Sequence, residues 1–467
     1  MMNSPEIESL IHLQNKIFDI NPDNFEETKK LILESSFINC SYDLEIILIT
    51  IHRAIKTRLK YPKCYISLIA SLKKYIQQFY TSVELYQLFS VEQCSQFFCF
   101  KLYEMNIIEL KDIFPDIQTY SDFLYYFLPE VKNSYPGFYE ESLDKCSDAL
   151  LEKINSIPPN FDYQRQNPFN THPLIQFIIN DDLDQFLELY SKYDKHDFTI
   201  NISPFEISDF YYKVKQMPPI YYAALYGSLQ VFKFLFINTG RYDENLMKMA
   251  ILGGNCEIIS LVERQITFNF KEMIELAIII HRNDIVHYLL VNYGLTYNQL
   301  SPNYLFHSLN SEIIFEYLKS VEEEKNNKID KNIEHEFTPI SLFEQIKFGN
   351  LLTVRYMYKL FPNLFVPFLD NLHGKTQLHC ACESRSVQMV KYIYNQNPND
   401  LNAKDDHDET PICSAMNWIA TFIFLCELDK IDLNVTYQDG ETLFNVAKMY
   451  HSSTIFPILL SKVTTKK

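Results

Sequence analysis

The chain of 467 residues is 47% hydrophobic and 22% charged, with only nine glycines beside 32 Tyr and 36 Phe, which excludes a mostly disordered protein and argues against glycine-loop nucleotide folds and many-turned β-sandwiches. Its net charge of −17 is spread evenly, with 22 acids and 15 bases over residues 1–160 and 37 and 27 over residues 161–467. Such a surface repels phosphate backbones and anionic membranes, so no nucleic-acid partner is expected.

The opening stretch "MMNSPEIESLIHLQNK" has early acids and no uninterrupted apolar core, so it does not read as a signal peptide. The apolar runs "IILITI" (46–51) and "FKFLFI" (232–237) fall far short of the ~18–20 residues of a spanning helix, and no membrane insertion is expected. Ten irregularly spaced cysteines are expected as reduced thiols, in a cytoplasmic or nuclear protein. Residues 1–160 read as a helical domain. "SYDLEIILITIHRAIKTRL" opens on Ser41 and Asp43 as caps. "PKCYISLIASLKKYIQQF" places apolar residues at 65, 68, 69, 72, 76 and 79, a 3.6-residue stripe starting beside Pro62. Pro136-Gly137 reads as a break between helices. Glu104, Glu109, Asp112 and Asp116 are dense but suit an amphipathic helix and loop better than an acid–base site.

From residue 165 a pattern recurs. "HPLIQFIINDDLDQFLEL" places Phe177 in a slot that Ala223 fills in "PPIYYAALYGSLQVFKFL", Ala250 in "LMKMAILGGNCEIISLV" and Ala277 in "MIELAIIIHRNDIVHYLL". Leu305 and Gln345 take it in "NYLFHSLNSEIIFEYL" and "SLFEQIKFGNLLTVRYM". Ala381, Ala415 and Ala447 take it in "GKTQLHCACE", "DETPICSAMN" and "GETLFNVAKM", which also align Thr376, Thr410 and Thr442. Successive gaps are 46, 27, 27, 28, 40, 36, 34 and 32 residues. Self-similarity at about 33 residues is the mark of a helical repeat array. A gap of 27 admits two short helices and little else, so residues 210–320 should be a stack with trimmed tips. The polar stretch "VEEEKNNKIDKNIEHEF" (321–337) reads as a solvated insertion.

These motifs resemble the ankyrin repeat, whose core reads Thr-Pro-Leu-His-x-Ala. The mixture is similar to a group of protist ankyrin proteins in which a diverged ankyrin-like domain of unknown function precedes regular repeats. That resemblance implies an all-α, ankyrin-type α-solenoid. Its parts would be an N-terminal helical domain (1–160), diverged repeats (165–320), the insertion (321–337) and regular repeats (338–460). The N-terminal domain is expected to cap the array's N-terminal end, where a hydrophobic face needs cover.

"HCAC" at 379–382 tests for chemistry. Cys380 and Cys382, two apart on a helix, diverge by about 200° and cannot grip one ion. The resemblance implies instead that His379 ties neighbouring repeat turns together and that Thr376 caps its helix. There is no GxxxxGK[ST], GxGxxG, HExxH, GxSxG or paired CxxC. Gly253-Gly254 reads as an inter-helix turn, and His281 and His287 as surface or packing residues.

The resemblance therefore implies a non-catalytic, monomeric interaction scaffold without metal or cofactor. Its protein partner would meet a concave face of turn tips and first helices. By repeat register that face draws on Asn371, His373, Lys375, Asp406, His407, Glu409, Tyr437, Gln438 and Glu441, expected to be exposed and free of packing duties, with Tyr437 as the aromatic anchor. The alternative is an adaptor whose residues 1–160 recruit a catalytic partner while the repeats select a substrate protein.

Overall fold

The structure, a computed structural model, describes residues 4–39, 41–90, 95–145, 147–193, 198–206, 215–239, 242–326, 339–347, 349, 351–360, 373–384, 386–437, 440–450 and 455–465. Regular structure there is helical apart from a two-residue antiparallel ribbon, Ile200–Asn201 (β1) with Gln216–Met217 (β2), and one isolated bridge between Thr436 and Thr442. The N-terminal helices are α1 (Ser4–Phe18), α2 (Phe25–Glu34), α3 (Ser41–Thr57), α4 (Pro62–Phe79), α5 (Ser82–Ser90), α6 (Gln96–Glu104), α7 (Leu110–Thr119), α8 (Ser121–Tyr126), α9 (Leu128–Ser134), α10 (Pro136–Lys145), α11 (Asp148–Asn155) and α12 (Phe161–Gln166). The expected stripe of α4 is the buried one: Tyr65, Leu68, Ile69, Leu72 and Ile76 are all inside.

Helix pairs follow, one for each slot: α13 (Pro173–Ile179) with α14 (Leu183–Tyr190), α15 (Pro219–Leu225) with α16 (Leu229–Thr239), α17 (Glu244–Gly253) with α18 (Cys256–Glu263), α19 (Phe270–Ile279) with α20 (Asn283–Tyr293), and α21 (Pro302–Ser308) with α22 (Ser311–Asn326). Then come α23 (Pro339–Lys347) with α24 (Leu351–Leu360), α25 (Gln377–Glu383) with α26 (Val387–Gln396), α27 (Pro411–Ser414) with α28 (Ile419–Glu427), and α29 (Leu443–Tyr450) with α30 (Ile455–Thr465). First helices pack on first helices, α13 on α15, α15 on α17, α17 on α19, α19 on α21, then α23 on α25 and α25 on α27. Second helices do likewise, α14 on α16, α16 on α18, α26 on α28 and α28 on α30. The ribbon β1/β2 fills the 46-residue gap before α15. The first six residues of the polar stretch continue α22 as helix; residues 327–337 lie outside the described residues.

The backbone fixes the register independently of the slot residue. Four positions after the slot, six consecutive pairs place a residue at positive φ: Asp181 (54°), Gly227 (66°), Gly254 (73°), His281 (54°), Leu309 (50°) and Gly349 (74°). Each left-handed residue stops the first helix, and the next amide often donates back to the slot carbonyl, as Asp182 N does to Phe177 O, Ser228 N to Ala223 O and Arg282 N to Ala277 O (all 2.9 Å). The degenerate slots at 177, 305 and 345 thus obey the same geometry as the alanines. The slot is small where helices meet closely. Ala223, Ala250, Ala277, Ala381, Ala415 and Ala447 are fully buried, and a Cβ on Gly253 would collide with the Ala224 carbonyl oxygen.

Two expectations are corrected. The N-terminal helices do not simply cap the first pair; they lie along the turns that join first to second helices. Arg58 donates to Ile280 O and His281 O (both 3.0 Å), and Arg53 donates to Ser308 O. Gln14 donates to Leu309 O (3.1 Å) and accepts from Ser311 N (3.1 Å). Farther along, Asp43 pairs with Arg355, Glu45 accepts from Ser386 Oγ (3.0 Å), and Gln87 accepts from Ala420 N (3.3 Å). The 17 residues of α3 span about 25 Å. That reach matches roughly three helix-to-helix steps of 8–10 Å. The physical reason is acceptor supply. The turns after α19 and α21 leave carbonyls that Gln14 of α1, Arg53 of α3 and Arg58 just beyond α3 satisfy. The second correction concerns thiols. Cys99 is disulfide-bonded, whereas Cys64, Cys256, Cys380, Cys382, Cys413 and Cys426 are free. A disulfide depends on the geometry of two sulfurs, which a count of irregularly spaced cysteines does not test.

Candidate functional site

The loops entering α25, α27 and α29 form the tips. Gly374 (69°), Asp408 (63°) and Gly440 (82°) have positive φ, each two residues before Thr376, Thr410 and Thr442. The tip before α27 is built by Asp405. Its Oδ1 accepts from His407 N (2.9 Å) and Glu409 N (3.0 Å), and its own amide donates to Glu409 O (3.0 Å). Adjacent tips are joined, since Asp406 N donates to His373 O (2.8 Å) and the His373 and His407 rings lie 5.2 Å apart. A side chain on Gly374 would strike the Asp406 carboxylate, so glycine there permits the approach.

The expected cap and tie both occur at α25. Thr376 Oγ1 accepts from His379 N (3.4 Å) at the helix start. His379 Nε2 donates to Glu409 O (3.1 Å) across to the next tip, while Nδ1 accepts from Thr376 N (3.2 Å). These bonds select the neutral tautomer, and burial lowers the imidazole pKa. Both cysteines of "HCAC" are buried, and burial pushes the Cys380 thiol up to about 12 and Cys382 well above its usual value. A thiol so raised is a poor nucleophile. Among the described residues no group of three His, Cys, Asp or Glu side chains could hold a metal ion.

The proposed face is only partly the one expected. His373 and Asp406 are exposed and His407 half-buried, and these three come together. Lys375 is half-buried and ion-paired to Glu383, which Lys347 also reaches (2.7 Å). Glu409 is half-buried against the tip, and the Glu441 carboxylate accepts from Asn445 (2.8 Å). Tyr437 is not a free anchor. It stands at the place Asp405 holds in the preceding tip, is half-buried against the core, and donates from its hydroxyl to Cys413 O (3.3 Å). Asn371 and Gln438 lie outside the described residues.

A family profile, that of a domain of unknown function (DUF3447), matches residues 238–317. This profile is found in ankyrin-repeat proteins. The matched segment covers α17 to α21 and the first part of α22, where no strand separates the trimmed pairs. No curated protein matches the chain. No helix among the described residues is long and apolar enough to cross a membrane.

Sequence reasoning missed a second feature, a cavity of about 220 Å³ between the N-terminal helices and the turns after α15 and α17. Arg58, Lys60 and Arg282 line it, and their distance in sequence concealed the cluster. The acids 104–116 are taken up locally: Lys101 pairs with Glu104 (2.8 Å), Asp112 accepts from Glu109 N (2.9 Å), and Asp116 accepts from the Tyr86 hydroxyl.

Proposed function

We propose that the chain is an ankyrin-type α-solenoid acting as a non-catalytic scaffold, which binds a protein partner through the tips and first helices of its last pairs. The observation that carries this reading is the division of labour between two edges of the helix stack. The N-terminal helices occupy the inter-helix turns, from Ile280 to Ala420. The tips carry His373, Asp406 and His407, polar side chains outside the hydrophobic core. The Asp405 carboxylate, accepting from His407 N and Glu409 N, braces the tip before α27, so little conformational freedom is lost there on binding. Residues 1–160 then belong to the scaffold itself, because α1, α3 and α5 direct polar side chains into the array.

The test begins with a partner captured by the intact chain. His373→Ala, Asp406→Ala and His407→Ala combined should leave unfolding unchanged and weaken that partner by about 2 kcal/mol. A fully folded triple variant with undiminished affinity overturns the reading.

A further inference from the structure

The cavity between the N-terminal helices and the repeat turns carries an unbalanced charge. Its lining includes Arg58, Lys60 and Arg282 with a single acid, Asp19. Each guanidinium has five N–H donors. Arg58 commits three to carbonyls, of Phe18 (3.1 Å), Ile280 and His281 (3.0 Å each). Arg282 commits Nη2 to Leu252 O (2.8 Å) and Gly253 O (2.9 Å), and its Nε is buried with no partner. Neither guanidinium has a carboxylate within ion-pair distance among the described residues. Helix-end carbonyls and the nearby Asp19 and Asp284 offset part of this charge, but two like charges held side by side and half-buried are costly. Burial, and next to it the neighbouring Arg282, pulls the Arg58 guanidinium down to about 9.

We propose that this cavity binds a small phosphate-bearing anion held by Arg58, Lys60 and Arg282, which fastens the N-terminal helices to the repeat turns. The uncommitted N–H groups of two guanidiniums suit an oxyanion, and three cations suit a doubly charged one. At about 220 Å³ the space is below the ~300–1,000 Å³ of drug-sized ligand sites. It accommodates a phosphate group, and the acidity of the chain as a whole makes the attraction local.

The experiment follows thermal unfolding of the intact chain, and titration calorimetry, with inorganic phosphate, pyrophosphate and glycerol phosphate at ionic strength matched by chloride. Saturable stabilisation is expected, raising the midpoint by about 2 °C or more. Affinity should fall tenfold or more in Arg282→Gln and in Lys60→Gln; the Lys60 side chain is exposed, so its variant keeps the fold. Lys30→Gln, a remote surface control, should bind as the parent does. A monoester binding more tightly than inorganic phosphate assigns an organic source, and the reverse ranking assigns the free ion; either supports the site. Phosphate no more stabilising than chloride, or Lys60→Gln and Lys30→Gln behaving alike, overturns it.

Discussion

Replacing Gly253 by alanine sets two effects of opposite sign against each other. Gly253 ends α17, and in a helix alanine is ordinarily favoured over glycine by about 0.5–1 kcal/mol. Here a Cβ would collide with the Ala224 carbonyl oxygen and stand 3.1 Å from both the Ala224 carbonyl carbon and Gly227 N. All three obstacles are backbone, so no side-chain rotation relieves them. The helices α15 and α17 would have to separate, yet Ala223 and Ala250 between them are fully buried and close-packed. Overpacking of this kind costs about 1–3 kcal/mol. Displacing Gly253 O also weakens its bond from Arg282, a charge-assisted bond of about 1.5–3 kcal/mol. Steric cost wins, and Gly253→Ala should destabilise by about 1–3 kcal/mol. The assay is urea unfolding followed by circular dichroism, with hydrogen exchange at α15 and α17 as a local readout. Gly137→Ala is the control: it also lies in a helix but nothing stands within 4 Å of its Cβ, so that variant should gain roughly 0.5 kcal/mol. A raised midpoint in Gly253→Ala would refute the close approach of α15 and α17.

The slot residues allow a related measurement, in which Ala223→Phe and Ala250→Phe should each lower the urea midpoint by an amount equivalent to ~1–3 kcal/mol. His281, stacked on Phe18 (4.1 Å), is pulled down to about 3 by burial and by Arg53, so it is neutral in the fold. The unfolded chain binds the extra proton, and stability present above pH ~6.5 is lost as pH falls from there towards 3; hydrogen exchange in α1 and α3 should accelerate over that window. Glu45 works in the other direction, because burial raises its carboxyl to about 8. The fold holds the extra proton between pH ~4.5 and 8, so stability declines as pH rises through that range. Glu45→Gln should remove the decline, raising the thermal midpoint at pH 8 while leaving it near the parent's at pH 4.5.

Local physics was legible in the residues alone. The stripe of α4 follows from a 3.6-residue period, and the trimmed pairs from a 27-residue spacing that leaves no room for a strand. Thr376 caps its helix at His379 N within one helical turn, a role that the resemblance already implied and that travels with the motif, whereas the His379 tie needs the next tip. Even the degenerate slots kept their register, because the left-handed turn that ends each first helix depends on chain length between helices, and Asp181, His281 and Leu309 accept it without glycine. What lies across the chain was decided only by the tertiary structure. Arg53 and Arg58 bind backbone carbonyls, which every residue possesses and no sequence pattern advertises. For that reason the docking of the N-terminal helices along the turns, and the meeting of Arg58 with Arg282, could not be read from spacing. Tyr437 is the same lesson at one residue. Register placed it on a tip, but its apolar ring had a half-buried surface within reach, and burial of that ring outweighed exposure at the face.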